Sequence, residues 1–200
     1  MRRVKAKPKH QTRCAICRRL TPDYDITSDL SGGTACRPLC SQCLNAGIAE
    51  SEGLKFEHVQ FEPIELADCT GETHVFHFQT HLFGPGVSLD AFEVRDGERA
   101  GYQFQVIGAP DGDLLALLAL LIAKIRRALS VQHLRMGELG LEVVDKLVRG
   151  TIEWDRDEDG RVPLLVVDGR EITWEHFGRM LMTFEGWQFQ LEIRDKSEEL

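Results

Sequence analysis

From His58 onward the apolar and polar positions alternate with a period of two. His58 to Ala67 and Thr73 to Leu82 both alternate in places, with a turn at Gly71 between them. Val87 to Arg95 follows the break at Gly84-Pro85-Gly86, and Asp96-Gly97 is a hairpin signal that returns the chain through Gly101 to Ile107. This pattern predicts a four-stranded antiparallel meander. The period then changes. Ala109-Pro110-Asp111-Gly112-Asp113 opens a helix expected to run to about Leu134, with Asp111 as its cap and Asp113 near the positive end of its dipole. Its first half (Leu114, Leu115, Leu117, Leu118, Leu120, Leu121, Ile122) is apolar nearly all round. Such a helix is covered on more than one side, either as a core helix, which is favoured, or as half of a dimer contact.

The last third reads as strands at Leu141 to Val144, Val148 to Trp154 and Val162 to Val167, then a tight turn at Asp168-Gly169. Thr173 is placed to cap a helix from Trp174 to about Phe184, with Gly186 as its stop and Gln188 to Arg194 as a final strand. The fold class expected is α+β, a mainly antiparallel sheet with two principal helices behind a small N-terminal module. The domain division is a basic arm (1–12), a cysteine module (13–54) and an α+β domain (55–200).

Two hundred residues with 42% apolar side chains can bury a core without disulfides. The longest apolar run, Leu114 to Ala123, is half the length of a membrane helix, and no leader-like stretch follows Arg2 and Arg3. The chain therefore reads as cytoplasmic, with no membrane partner. That compartment disfavours disulfides, so six cysteines ask for another explanation. The net charge of −8 is uneven. Residues 1–19 carry eight basic side chains and no acid, and the other 16 bases sit among all 32 acids. The arm (Arg2, Arg3, Lys5, Lys7, Lys9) is either a contact for RNA or DNA phosphates or a tail folded on its own acidic body.

Four cysteines form two pairs, Cys14-Ala15-Ile16-Cys17 and Cys40-Ser41-Gln42-Cys43, spaced C-x2-C-x22-C-x2-C. Each pair can hold one ion through a tight turn, and two pairs complete a tetrahedral four-thiolate Zn2+ site. With all four positions filled the metal is structural. A redox dithiol is the competing reading, but such a dithiol opens a helix after a strand, and the sequence before Cys14 is expected to be only the basic arm. Turn residues lie between the pairs, and Leu44 to Glu50 reads as a short helix ending near Gly53. Knuckle, hairpin, second knuckle at a helix start: residues 12–53 resemble the treble-clef zinc fingers. By position the resemblance implies Cys14, Cys17, Cys40 and Cys43 as ligands, and zinc-supported recognition without selecting the partner. Cys36 is an alternative ligand or a small apolar strand residue, and Cys69 is expected to be a free thiol. The remainder is similar, notably through Leu164 to Arg194, to uncharacterised bacterial proteins that pair a cysteine finger with such a domain.

Other constellations are weaker. Asp155 to Gly160 matches half of a calcium loop, but Val166 stands where a carboxylate is needed, so an acidic hairpin tip is favoured. His74, His77 and His81 share one expected strand. His77 and His81 lie on one face about 13 Å apart, too far to share an ion, and His74 is on the other face. A metal-dependent hydrolase on this strand would need outside ligands such as His58 or an acid. The C-terminal aromatics (Trp174, Phe177, Phe184, Trp187, Phe189) are expected in the core rather than stacked on bases. The function expected is a zinc-binding interaction or adaptor protein. A protein partner is favoured over nucleic acid because the acidic body repels phosphate, and a homodimer is possible.

Overall fold

The computed structural model describes residues 11–29, 37–138, 140–155 and 157–198. The basic side chains of the arm from Arg2 to Lys9, and Cys36, lie outside these residues. The fold is α+β, and among the described residues every strand pair is antiparallel. Two small hairpins come first, β1 (Gln11–Arg13) with β2 (Leu20–Pro22), and β3 (Ile26–Asp29) with β4 (Arg37–Cys40). A single 3-10 turn, Asp23–Asp25, joins them, and α1 (Ser41–Glu52) leaves directly from β4.

The expected meander forms with strand order β5 (Ile64–Ala67), β6 (Thr73–Phe83), β7 (Gly86–Arg95), β8 (Glu98–Gly108). Asp96 and Gly97 both have positive φ, 52° and 87°, and pair Arg95 with Glu98. That conformation suits the right-handed twist of the flanking strands. The first expected strand is shorter than its pattern. Only Ile64–Ala67 pairs, while the preceding segment crosses the sheet irregularly to bring Leu54, Phe56 and Phe61 against the core.

Helix α2 (Leu114–Leu129) is also shorter than expected. Asp113, not Asp111, is the cap: its Oδ1 accepts from Leu115 N at 2.8 Å and Ala116 N at 3.3 Å. The helix ends where Ser130 Oγ donates to Arg127 O at 2.7 Å, freeing Leu134 to start a strand. Leu117, Leu121, Ile125 and Leu129 recur at helical spacing and are buried against β7 and β8. Each contributes on the order of 1.5–3 kcal/mol by leaving water. Leu115 and Leu120, on the opposite face, are exposed.

The last unit has its own small core of Leu134, Val167, Ile172 and Met180. It contains the hairpin β9 (Leu134–Gly137) and β10 (Gly140–Val143), and the sheet β11 (Thr151–Trp154), β12 (Pro163–Val167), β13 (Arg170–Thr173). Asp155 and residues 157–160 lie at the tip between β11 and β12, so the segment is an acidic hairpin tip. Thr173 caps α3 (Trp174–Leu181), accepting from His176 N at 3.2 Å. The expected final strand is not formed. Gln188 to Arg194 alternates in sequence, but among the described residues no strand lies beside it, and a strand exists only through a partner's hydrogen bonds. Phe189, Leu191 and Ile193 are consequently 93%, 73% and 69% exposed. Among the described residues no helix is long and apolar enough to cross a membrane.

Candidate metal centre

The two C-x-x-C segments converge. The Sγ atoms of Cys14, Cys17, Cys40 and Cys43 all lie within 4.8 Å of one another, and no disulfide joins them. Four cysteines so placed can hold one metal ion. Local backbone geometry explains the convergence. Arg18 takes a positive φ of 64°, which folds Cys14 to Arg19 into a tight loop closed by Cys14 N to Arg19 O at 3.0 Å and Arg18 N to Cys14 O at 3.1 Å. Cys40 is the residue before α1, and Cys43 lies in its first turn. The two loops are tied by Ala15 N donating to Pro38 O at 2.8 Å and Cys40 N donating to Cys14 Sγ at 3.4 Å.

The thiols are electrostatically divided. Burial opposes ionisation of Cys14, but the amides of Cys40, Cys17 and Ile16 outweigh it and lower the thiol to about 6. Cys17 is lowered mainly by the Arg19 amide and guanidinium. Burial raises Cys40, and raises Cys43 to about 12, where the neighbouring thiols oppose a further charge. Two thiols are lowered by backbone amides and Arg19 and two are raised, first by burial and then by the neighbouring thiols, an imbalance that a cation between them would relieve.

The cysteine module grips the sheet rather than hanging from it. Strand β6 is paired with β5 only through Thr73–Phe76, which leaves its outer edge bare further along. Asn45 of α1, 0% exposed, takes the place of a strand there. Its Oδ1 accepts from Leu82 N at 2.9 Å and its Nδ2 donates to Thr80 O at 2.7 Å and His58 Nδ1 at 3.0 Å. On the other face, the 3-10 turn lays Tyr24 between His77 and Phe92, with ring centroids at 5.2 and 5.6 Å. Asp25 Oδ1 accepts from Gln79 Nε2 at 3.0 Å, and Arg99 donates to Tyr24 O at 3.2 Å. A cavity of about 200 Å³, lined by Arg19, Tyr24, His58 and His77 among others, lies along this junction.

The strand histidines separate as the alternation predicts. His77 and His81 face the Tyr24 side, where His81 Nε2 donates to Gln79 Oε1 at 2.8 Å. His58, His77 and His81 are all lowered from 6.5 by burial. Among the described residues neither His77 nor His81 belongs to a group of three converging ligand atoms. His74 faces the other way and stands 5.3 Å from the Tyr102 ring. Cys69 is an exposed free thiol. Asn45 and Tyr24 were not legible in the sequence. An asparagine inside a helix that starts at a C-x-x-C was the one available signal, since asparagine is a poor helix former unless its amide has work elsewhere.

Three consecutive segments match families described as domains of unknown function. They are 13–55 (DUF7685), 57–130 (DUF7686) and 133–198 (DUF7713). No curated protein and no solved structure matches the chain. The three segments carry the three apolar clusters in turn, except that Ile48, Ala49 and Leu54 of the first also pack into the cluster of the second.

Proposed function

We propose that the chain is a zinc-binding interaction protein whose metal is structural. The carrying observation is the convergence of four thiols. A tetrahedral Zn2+ with Zn–S bonds of about 2.3 Å sets neighbouring sulfurs about 3.8 Å apart, and Cys17 Sγ and Cys40 Sγ are 3.8 Å apart. An all-thiolate set is soft and favours zinc over harder divalent ions. Four protein ligands leave no position for water or substrate, so the ion holds the two loops together. A knuckle, a hairpin, then a helix whose first turn supplies the last ligand is the order of a treble clef, and we assign that type. By tying the knuckle to the start of α1, the ion sets the positions of Asn45 and Tyr24 on either side of β6. Unpaired thiols suit a reducing, cytoplasmic compartment.

The partner proposed is a protein. The C-terminal unit leaves Trp154, Trp174, Trp187, Phe189, Leu191 and Ile193 individually exposed, and exposed aromatic side chains are of the type enriched in protein interfaces. Elemental analysis of the full chain, purified without added metal, tests the zinc. One zinc per chain is expected, falling to none in C14S and C43S. The partner class is tested by capture with the full chain, run in parallel with and without nuclease. A specific protein retained by the native chain and lost by W174S and F189S supports the reading. Retention of nucleic acid that disappears with salt and with alanine at Arg2, Arg3, Lys5, Lys7 and Lys9 contradicts it.

A further inference from the structure

A second cluster lies at the other end of β6, where the β5–β6 turn, the β7–β8 hairpin and the Asp168-Gly169 turn of the last unit meet. Ligand atoms of Asp68, Glu72 and His74 all lie within 4.8 Å of one another. His74 is 7% exposed, and its Nε2 is buried without a hydrogen-bond partner. Such an atom leaves a buried polar group unsatisfied, which costs about 1–3 kcal/mol unless something binds it.

The other side of the ring is fully committed. His74 Nδ1 is 3.0 Å from Glu93 Oε1. An ionised carboxylate only accepts, so Nδ1 carries the proton and, in the neutral ring, Nε2 carries the lone pair. Glu93 is itself fixed, its Oε2 accepting from Tyr102 N at 2.8 Å. It lies opposite a β-bulge, where the register shifts between Phe92 and Glu93 and leaves Gly101 and Tyr102 without register partners. Gly101 opposite makes room for it: a Cβ there would stand 2.0 Å from Glu93 Oε2. A histidine with a carboxylate behind one nitrogen and no hydrogen bond to the other has the arrangement that orients metal-binding imidazoles.

Asp68 is presented in the same way. Its Oδ1 holds the turn, accepting from Thr70 N and Thr70 Oγ1 at 2.8 Å and Glu72 N at 2.9 Å. Its Oδ2 faces His74 Nε2 at 3.6 Å. That is too long for a charge-assisted hydrogen bond of about 2.7–2.9 Å. It is close to the roughly 3.4 Å that separates two ligands of a tetrahedral ion with bonds near 2.0–2.1 Å. A cavity of about 90 Å³, lined also by Arg95, Tyr102 and Asp168, opens beside the cluster. Three protein ligands leave the rest of an ion's coordination shell to water there.

We propose that Asp68, Glu72 and His74 form a second divalent-metal site, of nitrogen and oxygen donors, with Glu93 as the positioning residue that orients His74. It is independent of the cysteine site. The test uses the zinc-loaded full chain titrated with Mn2+, a hard ion that leaves the thiolates to zinc. Free Mn2+ is followed by electron paramagnetic resonance. The expected result is saturable binding of one ion per chain, with His74 ring signals broadened before those of His77 and His81. E72Q, at an exposed position, and D68N should weaken binding while zinc content is unchanged. E93Q should weaken it by roughly 10–100-fold. No binding at millimolar Mn2+ overturns the proposal, as does binding indifferent to E72Q and D68N. A His74 ring doubly protonated at neutral pH and untouched by Mn2+ also overturns it, since the cluster is then an ion pair.

Discussion

The cysteine cluster and the Asp68–His74 cluster are built by opposite means. The first takes its ligands two at a time from tight loops, so each half is complete in four consecutive residues. The second takes two from a turn and one from a strand, and its orienting carboxylate arrives 19 residues later through a bulge. The first is held by local backbone geometry and needs an ion to reconcile four thiols. The second is held by long-range pairing, so its shape depends on the sheet. A sequence motif therefore announces the one and is silent about the other.

The largest expected effect breaks the first cluster. Chelating the proposed zinc should unfold the N-terminal module, and the loss should not stop there, because Ile48 and Ala49 of α1 pack into the central core. Structural zinc commonly supplies on the order of 10 kcal/mol to small fingers, so a clear drop in the melting temperature of the whole chain is expected by calorimetry. Unchanged melting of residues outside the module would show that the grip on β6 carries no energy.

The next effect isolates that grip. N45A removes the side chain that satisfies Leu82 N and Thr80 O on the bare edge of β6. Stranding buried backbone groups costs about 1–3 kcal/mol each, so urea unfolding should show a loss near the upper end of that range. Zinc stoichiometry should remain at one. Loss of zinc in N45A would mean that the metal depends on the sheet, against the contrast drawn above.

Gly101 sharpens the comparison from the other side. In G101A the new Cβ meets a Glu93 carboxylate that cannot retreat without releasing His74 and Tyr102 N, and the residue already holds a φ of +62°. About 2 kcal/mol of stability should be lost, much of it left-handed backbone strain. Mn2+ affinity should fall with it while zinc is retained. Equal affinity in G101A would separate Glu93 from the second site.

The smallest effect is in pH. His58 and His81 are lowered by burial, with Asp25 pulling both back up and Arg19 or Arg99 pushing down. His77 is lowered by burial alone. A histidine whose folded pKa lies below its unfolded value adds nothing at high pH. As pH falls below the ordinary 6.5, the unfolded chain takes up protons that the folded chain refuses. Stability at the junction should therefore decline as pH drops through and below that value, measured by urea midpoints across the range. A midpoint that rises on acidification would contradict the buried, neutral state of these rings.

Much of the fold was legible because its signals are local. The Asp96-Gly97 and Asp168-Gly169 turns, the four-stranded meander that contains the first of them and the Thr173 cap all depend on residues within a few positions of one another. The misses depend on distant partners. Gln188 to Arg194 has the alternation of a strand but no neighbour among the described residues to pair with. The segment before Ile64 has it too, yet Phe56 and Phe61 are drawn into the core as an irregular crossing. Asp111 and Asp113 are both acceptable caps by composition, and only the first-turn amides chose Asp113. At the candidate sites, the cysteine spacing named its residues directly. Glu93, Asp68 and Asn45 are ordinary polar residues in sequence. Their roles arise from a bulge, a turn and an unpaired strand edge that only the folded sheet creates.

The central claim is the four-thiolate zinc. X-ray absorption at the zinc edge, on full chain carrying one zinc, reads its ligands directly. A single shell of four sulfurs at about 2.3 Å is expected. A shell containing nitrogen or oxygen, or fewer than four sulfurs, would contradict it.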